Sequence, residues 1–322
     1  MLTEFASWIT YSMFSIAQHS ALGNAVHFFI YDTIKILLLL GIVVFFMGII
    51  NAYFPVDRLR AFLTNNKLYG LEYLMASSFG AVTPFCSCSS VPLFIGFVKG
   101  GIPLGVTFAY LITSPLVNEV AIALFFSLFG VKVTVIYVAS GIFLGMIAGY
   151  ILGKLNLERY LSDWVRNIQE QAVREEEAFE AAHISFWQRL PIIIKDAWQI
   201  IKSVTPYVLV GIAIGAVMHG YVPESFFSRY LNADNFWAVP VSVILAVPFY
   251  SNASGIIPIL QVLVAKGIPL GTAIAFMMGV VGLSFPEAML LKKVMNLRLI
   301  GTFFGVVTLC IIISGYMFNV IL

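Results

Sequence analysis

Residues 83–92 read TPFCSCSSVP, so Cys86 and Cys88 flank one serine where Pro84 and Pro92 interrupt an apolar chain. Two thiolates at this spacing can close on a single soft ion, and thiolates select soft acceptors over hard cations. Cysteine is also a small apolar residue that lets helices pack, and both readings stay open for the pair. Further on, TSPLVNE places Pro115, Asn118 and Glu119 inside another apolar stretch, and the second half of the chain offers Ser284, Pro286 and Glu287 in a matching place. A charged residue at mid-membrane depth costs about 2.5–3.5 kcal/mol, so such residues usually face a cavity or a pathway. Burial disfavours the charged carboxylate, which suits proton uptake and release. The plainer alternative is a protonated acid that hydrogen-bonds a broken helix.

The elements that must position these groups are membrane helices. Of the 322 residues 60% are hydrophobic and 11% charged, less than half the roughly 25% charged residues of soluble domains. The runs Ile34 to Ile50, Val131 to Leu152 and Leu299 to Leu322 approach or exceed the ~20 residues that a spanning helix needs. The expected class is an all-α, multi-pass membrane protein with the lipid bilayer as its first partner. A net charge of +2 without a basic cluster gives no reason to expect a nucleic-acid partner. No Walker motif, nucleophile elbow or dinucleotide fingerprint occurs. The expectation is therefore a protein that is not an enzyme and carries no cofactor.

Residues 1–27 lack a basic n-region and a small-residue cleavage site and read as an interfacial helix, with an extra polar span as the alternative. Three cysteines give an odd count and no disulfide framework, so free thiols are expected. Cys310, alone in the last apolar run, reads as packing. The four histidines (His19, His27, His183, His219) show no metal-ligand spacing.

Charge divides the chain into repeat 1 at residues 28–153, a linker at 154–195, and repeat 2 at 196–322. From Gly153 to Asp196 lie six Lys/Arg and eight Asp/Glu. Leu157, Leu161, Trp164, Ile168 and Ala172 recur there at helical spacing, the pattern of an amphipathic helix on the cytoplasmic surface. The halves repeat each other: PFCSCSSVPLFIGFVKGGIPLG from Pro84 matches PFYSNASGIIPILQVLVAKGIPLG from Pro248, and SPLVNEVAI meets LSFPEAML. This aligns Glu119 with Glu287. Paired Gly/Pro-interrupted apolar segments in two halves point to a transporter's binding site.

Basic residues near spans favour the cytoplasm. Arg58, Arg60 and Lys67 follow the first span. Lys154, Arg159 and Arg166 follow the last span of repeat 1, and Lys292, Lys293 and Arg298 precede the final span. Placing all three groups inside requires Leu68 to Lys99 to enter and leave on one side. That stretch is too short for two comfortable spans, so it reads as a re-entrant hairpin with the CSCSS segment at its tip. Each inverted repeat would then hold about three full spans plus one hairpin; a parallel repeat of four spans per half is the alternative.

Irregular backbone at membrane depth is tolerated only where protein or water satisfies its polar groups. Pro84 ends one arm, and Ser89 or Ser90 can cap the next. A helix N-terminus with partial positive charge then faces into the membrane. Repeat 2 has Ser251, Asn252 and Ser254 at the same place.

TPFCSCSSVPLFIGF, GIPLGVTFAYLITSPLVNEVA and FFIYDTIKILLLL resemble, over nearly the whole chain, the predicted permeases that include the bacterial organoarsenical efflux permeases. The resemblance implies an inner-membrane permease. Some members export trivalent organoarsenicals, with cysteines expected as the metalloid ligands; by position those are Cys86 and Cys88.

Together these readings give a secondary transporter for a small-molecule or metalloid substrate, best a soft thiophilic species moving outward. Cys86, Ser87, Cys88, Ser89 and Ser90 would contact it, with Ser251 and Asn252 opposite. Asn118, Glu119 and Glu287, beside Pro84 and Pro115, would gate or couple to protons. A permease for a small anion or sulfur compound, and a membrane thiol-redox protein, are the alternatives. Homo-oligomerisation stays open.

Overall fold

The structure is a computed structural model. It describes residues 2–13, 17, 20–53, 70–83, 87–99, 101–155, 157–162, 165, 236–249, 253–292 and 294–322, with short stretches between 190 and 216. The predicted linker from 166 to 189, Pro84, Cys86, Ser251 and Asn252 lie outside the described residues, as do the side chains of Ser87, Cys88 and Ser89.

Every named element is helical. Helix α1 (Leu2–Ser7) runs into a π-helical turn, Trp8–Met13, and then comes α2 (Ala21–Tyr53). Ser20 caps α2, its hydroxyl accepting from the Gly23 amide at 2.9 Å, so this helix starts earlier than the boundary at 27. Ser7 Oγ and His27 Nε2 lie 3.0 Å apart and tie α1 to α2, while Phe5 and Trp8 are exposed.

The repeated segments follow. Helices α3 (Leu71–Val82) and α4 (Ser87–Lys99) have 12 and 13 residues, each well short of a bilayer span. Next are α5 (Leu104–Leu116), α6 (Glu119–Lys154) and a 3₁₀ turn at Leu157–Tyr160. The second half shows α7 (Ala238–Ala246), α8 (Ala253–Ala265), α9 (Leu270–Gly282), α10 (Phe285–Leu291) and α11 (Leu297–Ile321).

Both copies of GIPLG make the same turn. Gly101 and Gly267 have φ of 71° and 88°, a left-handed conformation open to glycine. The following amides reach back alike, Ile102 to the Phe97 carbonyl at 3.0 Å and Ile268 to that of Leu263 at 3.2 Å. Pro103 and Pro269 then open α5 and α9 with nearly identical backbone angles.

At Gly130 φ is 79° and ψ 177°. Helix α6 is therefore two arms joined by a one-residue turn. The second arm folds back along α5 on a face of four glycines. A methyl on Gly153 would sit 2.9 Å from the Tyr73 hydroxyl and 3.1 Å from the Gly105 Cα; on Gly149, 2.6 Å from the Ala109 Cβ. On Gly145 it would overlap Thr113 Oγ1 at 1.9 Å, and on Gly141 Val117 Cγ2 at 2.2 Å. Contacts four residues apart on both strands of the pair define an antiparallel helical hairpin. Small residues are what permit such approach in membranes, where no hydrophobic driving force separates helix from lipid.

Among the described residues, three segments are long and apolar enough to span a bilayer: Glu119–Lys154, Leu270–Leu291 and Leu297–Ile321. In the most apolar window of each, 76% of Leu270–Leu291 is buried, against 22% and 28% for the other two. The broken segment α9–α10 is thus interior, and so is α5, buried at every residue.

The chain just past α6 meets the residues just before α11. Leu161 and Met295 form an isolated antiparallel bridge, flanked by Ser162 N–H to the Val294 carbonyl at 2.9 Å and Asn296 N–H to the Tyr160 carbonyl at 3.0 Å. Two of the predicted cytoplasmic basic groups, Lys154 with Arg159 and Lys292 with Arg298, therefore flank one junction.

Candidate functional site

Helix α5 ends because the chain leaves helical geometry at two residues. Val117 (φ −123°, ψ 102°) and Asn118 (φ −130°, ψ 165°) are extended, and α6 restarts at Glu119. Each freed backbone group then needs a partner in a dry interior. The Val117 amide donates to the Thr113 carbonyl at 2.9 Å. The Asn118 Oδ1 accepts from the Ala121 amide at 2.8 Å, a helix N-cap. The Leu116 carbonyl accepts from the Tyr137 hydroxyl, which reaches across from the second arm of α6.

In the second half Leu283 (φ −129°, ψ 14°) and Ser284 break the segment, and α10 starts at Phe285. The Phe285 amide donates to the carbonyl of Val247, just past α7, at 2.8 Å. Ser284 and Glu287 are each 1% exposed.

The two breaks touch. A methyl on Gly282 would lie 3.0 Å from Leu116 Cδ2, so the residues before each interruption pack directly. Each break is also tied to a neighbouring helix: in the second half through Val247, just past α7, and in the first half through the Ser90 and Ser114 hydroxyls, which lie 2.8 Å apart, both fully buried. Across the halves, α10 packs on α4 and α8 packs on α6. The candidate site is this crossing, lined by Ser90, Ser114, Asn118, Ser284 and Glu287.

The sequence-derived residues fare differently. Ser90 belongs to the site, but neither it nor Ser89 caps α4, which already begins at Ser87; the Ser90 hydroxyl meets Ser114 instead. Asn118 is the cap of α6. Glu119, expected to be buried like Glu287, is exposed on the first turn of α6. Pro115 sits in the last turn of α5. No cluster of three His, Cys, Asp or Glu able to hold a metal occurs among the described residues, and Cys310 is a free thiol.

Sequence reasoning missed Tyr137. The available signal was a phenol inside an otherwise apolar span, since a buried tyrosine hydroxyl needs a hydrogen-bond partner.

A bundle of apolar helices with broken segments at its centre defines an all-helical membrane protein of the permease type. Residues 21–320 match the ArsP_1 family, described as predicted permease, and the chain belongs to that family. It is 21% identical to a UPF0718 protein of Methanocaldococcus jannaschii over 314 residues, 82% of this chain and 86% of that one. A Streptococcus mutans protein, named as a candidate two-component membrane permease complex subunit, is 22% identical over 83% of this chain and 85% of its own length. The UPF0718 protein YcgR of Bacillus subtilis is 32% identical over 97 residues, 30% of this chain and 32% of that protein. No solved structure matches the chain. Permeases are transporters rather than enzymes.

Proposed function

We propose that the protein is a secondary transporter of the cell inner membrane that exports a soft thiophilic solute, such as a trivalent arsenical, through the crossing of its broken helices. The observation that carries this reading is the buried Ser90–Ser114 contact. It joins the arm that begins at Ser87-Cys88 to the broken helix, beside the break of the other half. Cys86 and Cys88 are the proposed ligands, with Ser87, Ser89 and Ser90 around them and Ser251 and Asn252 on the opposing tip.

The short arms α3 and α4 support a re-entrant hairpin. The junction of Leu161 with Met295 supports inverted repeats, because one residue lies shortly after the end of one last span and the other just before the beginning of the other. The chemistry of the crossing favours a neutral or cationic solute over an anion. Among the described residues that line it the ionisable group is the carboxyl of Glu287, and the tip segments from Pro84 to Ser90 and from Tyr250 to Ser254 contain no Lys, Arg or His. The S. mutans relative adds the expectation of a second polypeptide in the working complex.

The test is a resistance and efflux panel in cells expressing the chain, covering trivalent arsenicals, antimonite, soft metal ions and small sulfur anions. Efflux of a trivalent arsenical that is lost in both Cys86→Ser and Cys88→Ser is the expected result. Transport of a sulfur anion retained in the doubly substituted protein would refute the thiol site and leave an anion permease. A reversible Cys86–Cys88 disulfide without any transported solute would make the protein a thiol-redox partner instead.

A further inference from the structure

Tyr137 lies one turn ahead of Gly141 on the second arm of α6, so both face the same neighbour. That neighbour is the first helix break. The Tyr137 hydroxyl donates to the carbonyl of Leu116, the last residue of α5. Val117 fills the space above Gly141, where a methyl would lie 2.2 Å from its Cγ2. Beyond the break, the Phe125 ring stacks on the Tyr137 ring, with centroids 4.4 Å apart and planes inclined by 10°. One fully buried side chain therefore holds the backbone before the break and a ring after it. Hydrocarbon offers the Leu116 carbonyl no substitute for the phenol.

We infer that Tyr137, seated by Gly141, is a positioning residue that latches this break, so that releasing its hydroxyl lets Ser114 and Asn118 move. Leu116 packs on Gly282, so the latch also fixes how the two breaks meet. That the break moves during transport rests on the permease path proposed above; the latch contacts themselves do not.

The test uses the full-length chain in membrane vesicles, with Cys86 and Cys88 replaced by serine, Ser114→Cys as reporter and native Cys310 as internal reference. The probe is N-ethylmaleimide, and no substrate is needed, so the result is readable even if the transport reading fails. Tyr137→Phe keeps the ring and removes the hydroxyl. It should raise labelling at position 114 relative to Cys310 about tenfold, the factor that matches the upper part of the range for one net hydrogen bond. Gly141→Ala, which keeps the phenol but pushes Val117 off its seat, should raise the same ratio. An unchanged ratio in both variants, or an equal rise at both thiols from general loosening, would overturn the latch.

Discussion

The hydroxyls of Ser90 and Ser114 meet at 2.8 Å with neither side chain exposed. One residue lies near the start of α4 and the other in the last turn of α5, so the contact fixes α4 against the broken helix.

Coupling between these serines is the first expected outcome. Removing one hydroxyl of a buried pair costs the bond and weakens the surroundings of the other, about 1–3 kcal/mol in all. Ser90→Ala and Ser114→Ala should each lower stability in a detergent-unfolding titration, and the double variant should lose less than the sum. Strict additivity would mean that the two hydroxyls act on separate partners.

The glycine face gives a second expectation, with its own control. A methyl at Gly145 overlaps Thr113 Oγ1 at 1.9 Å and one at Gly149 lies 2.6 Å from Ala109 Cβ, whereas Gly301 and Gly305 have nothing within 4 Å. Overpacking costs about 1–3 kcal/mol, while alanine in an open helix position gains roughly 0.5–1 kcal/mol over glycine. Gly145→Ala and Gly149→Ala should lower the thermal midpoint of the purified protein, and Gly301→Ala and Gly305→Ala should hold or raise it. Equal behaviour of all four would remove the close approach of α5 and α6.

Much of this fold can be read in the sequence, for a physical reason. Helix breaks need proline, glycine or small polar residues, and these stand out against apolar runs; hence Pro115 and Asn118 mark the first break, and GIPLG marks both turns. The four-residue spacing of Gly141, Gly145, Gly149 and Gly153 is equally visible, but spacing does not name the helix that packs on it. Exposure is harder. Glu119 and Glu287 align in sequence, yet one is exposed and the other buried, because the caps and neighbours of α6 and α10 differ. The role of Tyr137 depends on a carbonyl twenty-one residues away in sequence, a relationship no local pattern encodes.

Topology provides a third expectation. The bridge between Leu161 and Met295 brings the basic groups around Lys154 and Arg298 to one junction, and basic residues near spans favour the cytoplasm. A reporter fused at residue 175 should read cytoplasmic and one after Leu322 external. A Leu161→Cys, Met295→Cys pair should cross-link under mild oxidation. Reporters on the same side would replace the inverted arrangement with a parallel one.

The last expectation separates the two carboxyls. Glu287 is 1% exposed on the first turn of α10, and α10 packs on α4, the arm that begins at Ser87-Cys88. Glu119 is exposed where α6 restarts after the other break. Carboxyls at membrane depth usually face a cavity or a pathway, and under a proton-coupled reading of the proposed transporter Glu287 is the carrier. Glu287→Gln keeps the size and hydrogen-bonding capacity of the side chain but cannot titrate. The variant should insert and bind solute normally, while proton-driven accumulation disappears and its pH dependence flattens. Glu119→Gln should leave both within about twofold, as expected for a surface position away from any buried network. Efflux from vesicles under an imposed pH gradient measures each. Loss in Glu119→Gln with retention in Glu287→Gln would move coupling to the exposed residue, and retention in both would leave the two carboxyls as scaffold for the broken helices.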